Sequence, residues 1–334
     1  MGRYFGRKAL IYALTLIAAV TLNWLLPRFM PGDPISQMVA RGASTRDPAA
    51  IERLRAYYES LFGLDVPLWQ QYLNYWGRLA QWPPDLGIST WSFPSSVTGL
   101  VLGAAPYTLG LLLPAVLLSW YVGNKLGAMA ARRKVLDNSV LPLSYILTAT
   151  PYVWLAILMF WAGGVVLGIF PVGRGYSGNL IPAFTWRFIS DLLWHWFLPF
   201  LSLFLVALGG WAIGMRNLVI YELESDYSNY LSALGAPPRL IRKYAFRNAM
   251  LPQITGLALQ LGVIIAGNVA TELVFNYPGL GLLIVNAINS RDFFLLQGIF
   301  LFVVMGVLLL NFIIDIVYVW LDPRTRTGMQ GAAA

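Results

Sequence analysis

Repeated apolar runs, each long enough to cross a bilayer, constrain this chain more than any other feature of its sequence. Only 11% of its residues are charged, against roughly 25% in soluble domains. About 20 helical residues cross a hydrocarbon core of ~30 Å, and backbone groups in lipid must hydrogen-bond within the protein. We therefore predict an all-α membrane protein with six transmembrane helices. The predicted spans cover residues 9–26, 98–122, 139–172, 189–215, 253–275 and 293–320.

Two of these runs allow a second interpretation. The run 139–172 is longer than one span needs, so we expect it to be tilted or broken near Pro151. The run 9–26 could belong to a secretory signal peptide. No small-residue cleavage site follows it, because it ends in Leu26-Pro27-Arg28, and a retained first span is favoured.

The largest polar segment, residues 30–96, lies between the first two spans. Its sequence predicts helices over 49–61 and 67–79, the second rich in aromatic residues. From Arg28 onward, six basic residues balance six acidic ones, which favours the outer side of the membrane. We thus predict a structured outer segment between transmembrane helices 1 and 2. The other predicted parts are a tail and first span (1–29), a transmembrane core that contains the remaining spans (97–321) and a terminal tail (322–334).

Charge placement predicts the orientation of the chain. Six spans put both termini on one side, and that side carries fourteen Lys and Arg but only five Asp and Glu. The positive-inside rule therefore places both termini in the cytoplasm, with the polar segment 222–252 on the same side. The net charge of +8 is explained by this orientation, so we expect the lipid bilayer and no nucleic acid as a partner.

The cytoplasmic segment 222–252, called the elbow below, contains two predicted short helices, 226–234 and 239–250. Gly235-Ala236-Pro237-Pro238 separates them. Glycine ends a helix in the left-handed conformation, and proline at a first helical position starts the next one. Such an elbow is either a plug that inserts into a partner protein or an amphipathic connector on the lipid surface. Spacing alone favours the connector.

The sequence contains no recognisable catalytic constellation. Cysteine is absent, His195 is the single histidine, and no Gly-rich nucleotide-binding loop is present, so we expect neither an enzyme nor a metal site. His195 lies between two tryptophans at a span end, which is typical of an aromatic belt. Ionisable residues inside apolar runs usually face a cavity or a partner. Glu272 with nearby Asn268, and Asp315, are therefore candidates either for a pathway or gate role or for hydrogen bonds that tie helices together.

Short motifs occur along nearly the whole chain. They are Met30-Pro31-Gly32-Asp33-Pro34, Gly63-Leu64-Asp65-Val66-Pro67-Leu68, Asp85-Leu86-Gly87, Asp226-Tyr227 with Gly235, Arg247-Asn248-Ala249-Met250-Leu251-Pro252, Tyr277-Pro278-Gly279-Leu280-Gly281, Arg291-Asp292 and Leu321-Asp322-Pro323-Arg324. In this order and spacing they resemble the membrane permease subunits of bacterial ABC importers of the dipeptide/oligopeptide type, a branch that also serves nickel and oligosaccharides. One departure lies in the elbow, where the family often has Ala-Arg-Ala-Lys and this chain has Leu231-Ser232-Ala233-Leu234. The absence of both basic residues weakens the case for a salt bridge to an ATPase there.

The resemblance implies a type I ABC importer fold in a bacterial inner membrane. It also implies partners: a paralogous permease subunit that completes a heterodimer, two cytoplasmic ATPase subunits that bind ATP and Mg²⁺, and an outer solute-binding protein. This chain itself would hold no cofactor. The elbow would dock on an ATPase through Asp226, Tyr227, Tyr230, Leu231, Ala233, Leu234 and Gly235.

Cargo stays open between two classes at this point. Short peptides are the first expectation, and the many aromatic residues (13 Trp, 17 Tyr) leave oligosaccharides as the alternative. A proton-coupled secondary transporter is a remote alternative from another class. It is disfavoured because no inverted repeat is visible and few acidic residues lie in the apolar runs.

Overall fold

The computed structural model describes residues 2–29, 34–42, 47–264 and 269–321, and within these residues the chain forms thirteen α-helices and no β-strand. Contacts divide the chain into two compact units, Met1–Pro106 with Leu282–Ala334, and Tyr107–Gly281. The helices are α1 (Gly2–Phe29), α2 (Pro34–Gly42), α3 (Pro48–Leu61), α4 (Leu68–Leu79), α5 (Val97–Ala130), α6 (Lys134–Ala149), α7 (Tyr152–Met159), α8 (Trp186–Leu223), α9 (Asp226–Ala233), α10 (Pro238–Ile264), α11 (Val269–Val274), α12 (Leu280–Asn289) and α13 (Phe293–Leu321).

Several of these helices are long and apolar enough to cross a membrane. Within the described residues four qualify singly, Lys8–Leu26, Val97–Ala130, Trp186–Leu223 and Phe293–Ile313, and one bent pair brings the number to five. The prediction of an all-α, multi-span membrane protein is thereby confirmed. The predicted count of six is not reached among the described residues, because α10 begins in the charged elbow and residues 265–268 fall outside the description.

The third apolar run is broken, as the second of its two interpretations predicted. Helix α6 ends at Ala149, and the next limb, Tyr152–Val166, leaves at 99°. Proline disfavours helical backbone in the residue before it, and Thr150 is accordingly extended (φ −78°, ψ 122°) next to Pro151. The limb itself starts as α7 and finishes as a π-helix over Phe160–Val166. A single tilted span is therefore wrong for this run.

In the first unit, the described part of segment 30–96 packs against α1 and α13. The predicted helices 49–61 and 67–79 are confirmed as α3 and α4, and α2 is an additional helix that the sequence analysis did not predict. Asn23 of α1 donates to the Gln297 carbonyl at 2.9 Å and to the Tyr75 hydroxyl at 3.3 Å. Phe62 stacks on Phe294 with ring centroids 4.7 Å apart. Burial of these rings stabilises the segment against the spans.

In the second unit, α8 lies at the centre and packs against α6, α7 and α10. The Arg216 guanidinium of α8 donates to both carboxylate oxygens of Asp137 on α6, at 2.8 and 2.6 Å. A planar guanidinium fork matches a carboxylate in this bidentate geometry and fixes the two helices in register. The apolar core of the unit includes Leu111, Ala156 and Leu203, all buried.

Candidate functional site

The turn at Gly235 has the hydrogen-bond pattern of a Schellman motif at the end of α9. The Ala236 N–H donates to the Leu231 carbonyl and the Gly235 N–H to the Ser232 carbonyl, both at 3.0 Å. Gly235 has φ +76°, a left-handed backbone that costs a residue with a Cβ about 1–2 kcal/mol. This geometry confirms the prediction that Gly235 ends the first helix of the elbow.

The second arm of the elbow is the beginning of a long helix. Helix α10 starts with Pro238 at its first position, as predicted, and continues without interruption to Ile264. The predicted division into a helix over 239–250 and a separate span from 253 is wrong. That boundary was predicted at Pro252 because charged residues give way to apolar ones there, whereas the helix continues through this proline.

One carboxylate, that of Glu222, joins the three helices that meet at the elbow. Its Oε2 accepts hydrogen bonds from the Tyr227 hydroxyl at 2.8 Å and from the Asn248 amide at 3.2 Å. The Glu222 backbone carbonyl accepts from the hydroxyls of Ser225 and Ser228, at 2.6 and 2.7 Å. Because these residues belong to α8, α9, α10 and the turn between the first two, the orientation of α9 is fixed by a small polar network.

Apolar contacts hold the start of α10 against α8. Ala245 and Ala249 of α10 are fully or almost fully buried. Ala249 packs in a cluster with Met215 and Val219 of α8 and with Ala128 of α5. Small side chains allow two helix backbones to approach closely. The second arm of the elbow is therefore packed firmly on the transmembrane part of its own unit.

The outward side of α9 is exposed and partly apolar. Tyr230 and Leu234 are each 65% exposed and lie four residues apart, on one helical face. Asp226, Ala233 and Gly235 are exposed as well, while Leu231 is half-buried. Tyr227, also among the predicted docking residues, is half-buried and bonded to Glu222. Of the predicted set, Tyr230 and Leu234 thus form an apolar surface.

Glu272 lies in a second polar network, deep in the same unit. Its carboxylate accepts from the Thr108 hydroxyl and from the Gly281 N–H, each at 2.7 Å. Thr108 in turn accepts from the Leu280 N–H at 2.7 Å. Glu272 is fully buried, and a Cβ on Gly281 would lie 2.7 Å from the Cα of Val269. The network joins α5, α11 and the first residues of α12.

Comparison with known proteins decides the family. The family described as binding-protein-dependent transport system inner membrane component matches residues 123–327. This chain belongs to that family. It is 32% identical to the di/tripeptide transport system permease protein DppB of Pseudomonas aeruginosa, over 98% of this chain and 99% of that protein. It is 29% identical to the oligopeptide permease protein AppB of Bacillus subtilis (97% and 99%) and 30% identical to the dipeptide permease protein DppB of Escherichia coli (98% and 99%).

Membership of the binding-protein-dependent permease family confirms the resemblance seen in the motifs. The chain is a multi-pass inner-membrane transport component and not an enzyme. Importers with such components work with ATPase and solute-binding partners. Among the described residues, no group of three His, Asp or Glu side chains could hold a metal ion.

The remaining candidates of this permease fall in different places. Asn268 lies outside the described residues, and the side chain of Asp315 does as well. His195 is largely buried and its Nδ1 lies 2.8 Å from the Asp191 carbonyl oxygen. A pathway or gate role for Glu272 stays a prediction, and its described contacts are all with its own unit.

Neither the role of Glu222 nor its hydrogen bond with Asn248 of α10 was predicted from the sequence. Asn248 was part of a motif quoted for the family, but its contact with Glu222 spans 26 residues of sequence. The spacing of residues does not single out Glu222, because the segment around it already contains several charged residues. The one available signal was the presence of a polar amide in the middle of the otherwise apolar and basic stretch 244–251.

Proposed function

We propose that this chain is one permease half of an ATP-driven importer of short peptides. The observation that carries the proposal is similarity over the full chain to permeases that are named for di/tripeptide, dipeptide and oligopeptide transport. These relatives are covered over 99% of their own length, so the similarity is not restricted to one domain.

The proposed assembly has a paralogous permease as the second half, two cytoplasmic ATPase subunits and an outer binding protein. ATP and Mg²⁺ bind to the ATPase subunits, and this chain holds no cofactor. Both termini and the elbow lie in the cytoplasm in this proposal. The excess of Lys and Arg on that side supports the orientation.

In the proposed mechanism, α9 docks in a groove of one ATPase subunit. Tyr230 and Leu234 supply the apolar contact, because both are exposed on one face of α9. Closure of the ATPase pair on ATP displaces α9, and the Glu222 network transfers that displacement to α8 and α10. Since α10 is continuous from the elbow to Ile264, movement reaches the transmembrane region through a single helix.

A transport assay tests the cargo. The complete importer in proteoliposomes, with its binding protein outside and ATP inside, is offered a labelled tripeptide or a labelled oligosaccharide. We expect ATP-dependent uptake of the tripeptide only, and stimulation of ATP hydrolysis only by the peptide-loaded binding protein. Uptake of the oligosaccharide without uptake of any peptide would show that the cargo is wrong, and uptake driven by a proton gradient without ATP would overturn the whole mechanism.

A further inference from the structure

The first unit contains a cavity that the coupling mechanism does not use. It has a volume of about 840 Å³ and is partly open to the surface. Its walls come from the end of α1, the end of α3 with the loop that follows it, one side of α4 and the first turns of α13. Small-molecule sites in proteins commonly have volumes of about 300–1,000 Å³, so the cavity is of ligand-binding size.

Two arginines line this cavity, and none of the described residues that line it is Asp or Glu. Arg28 donates only to uncharged acceptors, the Trp24 carbonyl at 2.6 Å and the Gln71 Oε1 at 2.8 Å. Its guanidinium lies 3.4 Å from the centre of the Trp24 ring. Partial burial lowers the pKa of Arg28 to about 10, so the group is still charged at neutral pH, and no Asp or Glu among the described residues pairs with it.

Arg78, which also lines the cavity, has a guanidinium nitrogen that is free to donate a hydrogen bond within the part of the chain that the structure describes. Its Nε is buried and has no hydrogen-bond partner among the described residues. Burial raises the pKa of Tyr75, and the positive charges of Arg78 and Arg28 both act against that rise. Both guanidinium groups therefore lie near one tyrosine hydroxyl, which Asn23 holds in place.

We propose that this cavity binds the C-terminal carboxylate end of a short peptide. A guanidinium fork matches a carboxylate in geometry and charge, and a partly desolvated cation that has no counter-ion among the described residues gains from binding one. The side chains of Gln71, Asn74, Gln81 and Gln297 also line the cavity and offer both donors and acceptors, as peptide groups require. A neutral oligosaccharide would leave both cations without a counter-charge. The choice of a peptide rests on the proposed function.

A binding measurement on the assembled importer in nanodiscs, without binding protein, tests this inference. Trialanine and trialanine amide differ only in the terminal charge, and calorimetry measures the affinity of each. We expect the acid to bind about tenfold more tightly or better, the effect of a hydrogen bond to a charged group. Arg78→Gln removes that preference, and Arg78→Lys, which keeps the charge but not the fork, retains part of it. Arg53→Gln is the matched control, because Arg53 is exposed on α3 and donates to the Ala49 carbonyl outside the cavity.

Equal affinities of the acid and the amide for the native importer would overturn the inference, as would an Arg78→Gln variant that keeps the preference. The same follows if Arg78→Gln weakens association with the binding protein and leaves peptide binding unchanged, because an acidic loop of that protein would then be the ligand. Thermal unfolding of each variant identifies those that fail to fold. Peptide uptake is measured in parallel: uptake without cavity binding contradicts only this inference, whereas a lack of uptake by the native importer contradicts the proposed function.

Discussion

The Tyr227 hydroxyl donates a 2.8 Å hydrogen bond to Oε2 of Glu222, which ties the first turn of α9 to the last turn of α8. The same oxygen accepts from Asn248 of α10. The Glu222 side chain therefore holds the orientation of α9 relative to α8 and α10. Its removal is expected to change the contacts of all three helices.

Replacing Glu222 by alanine is expected to loosen α9. Two donors lose their acceptor, and hydrogen bonds to charged groups contribute about 1.5–3 kcal/mol each. Hydrogen–deuterium exchange of the α9 amides should become faster by at least tenfold. Glu224→Ala is the control, because Glu224 is exposed and its backbone carbonyl, not its side chain, accepts from Asn229. Equal exchange rates in the two variants would contradict the role given to Glu222.

Replacing Gly235 by alanine is expected to destabilise the end of α9 for a conformational reason alone. A Cβ at this position meets nothing within 4 Å, but φ is +76°, and alanine in the left-handed region costs about 1–2 kcal/mol. Amide exchange at Ala236, whose N–H closes the turn, reports the change. Gly77→Ala on α4 also meets nothing within 4 Å and has no positive φ, so it should not destabilise its helix. The prediction is wrong if Gly235→Ala leaves the exchange of Ala236 unchanged.

Replacing Leu234 by aspartate is expected to uncouple the importer. The charge would have to be buried, unpaired, against the ATPase, and losing a contact of this kind in an interface costs 2 kcal/mol or more. ATP hydrolysis stimulated by the loaded binding protein should fall by about tenfold or more, while the complex still assembles in the membrane. Ser232→Asp places the same charge on the opposite side of α9, where Ser232 is also exposed. If both aspartate variants couple normally, the docking face lies elsewhere.

The shape of the elbow followed from the sequence because it depends on local backbone chemistry. Gly235 and Pro238 restrict the backbone whatever surrounds them, and the structure has both in their predicted roles. The end of α10 did not follow, since a fall in charge density at Pro252 looks the same whether one helix ends or continues. The Glu222 network could not be predicted either, because it joins residues that are distant in sequence.

Thr108 and Glu272 are expected to be energetically coupled. Glu272→Gln replaces one carboxylate oxygen by an amide group that donates and does not accept, and Thr108→Val removes the hydroxyl that lies between Glu272 and Leu280. Each single change should lower the free energy of unfolding by about 1–3 kcal/mol. The double variant should be less destabilised than the sum of the two, because one bond is lost in both. Additive effects in a thermal unfolding series would show that the two side chains act independently.

The partners of Glu272 could not be predicted from the apolar runs of the sequence. An acidic residue in such a run was recognised as costly, and the structure shows that the Glu272 carboxylate receives hydrogen bonds from Thr108 and Gly281. The glycine-containing motif 277–281 was visible in the sequence, but the sequence does not say that the Gly281 N–H donates to a carboxylate. Similarly, the break of the third run at Pro151 was one of two interpretations, because proline marks a break but does not give its angle of 99°.

Helix α10 is a long helix with one position, Pro252, at which it is expected to bend most easily. Its 27 residues extend over about 40 Å at 1.5 Å per residue. Pro252 lies inside it and has no N–H, so the Asn248 carbonyl receives no helical hydrogen bond at that level. The arm is therefore stiff on either side of this level and bends most easily there. Because the Asn248 side chain holds Glu222, flexing of the arm and release of α9 would take place at the same residue, and a force arriving through α9 would act on both together.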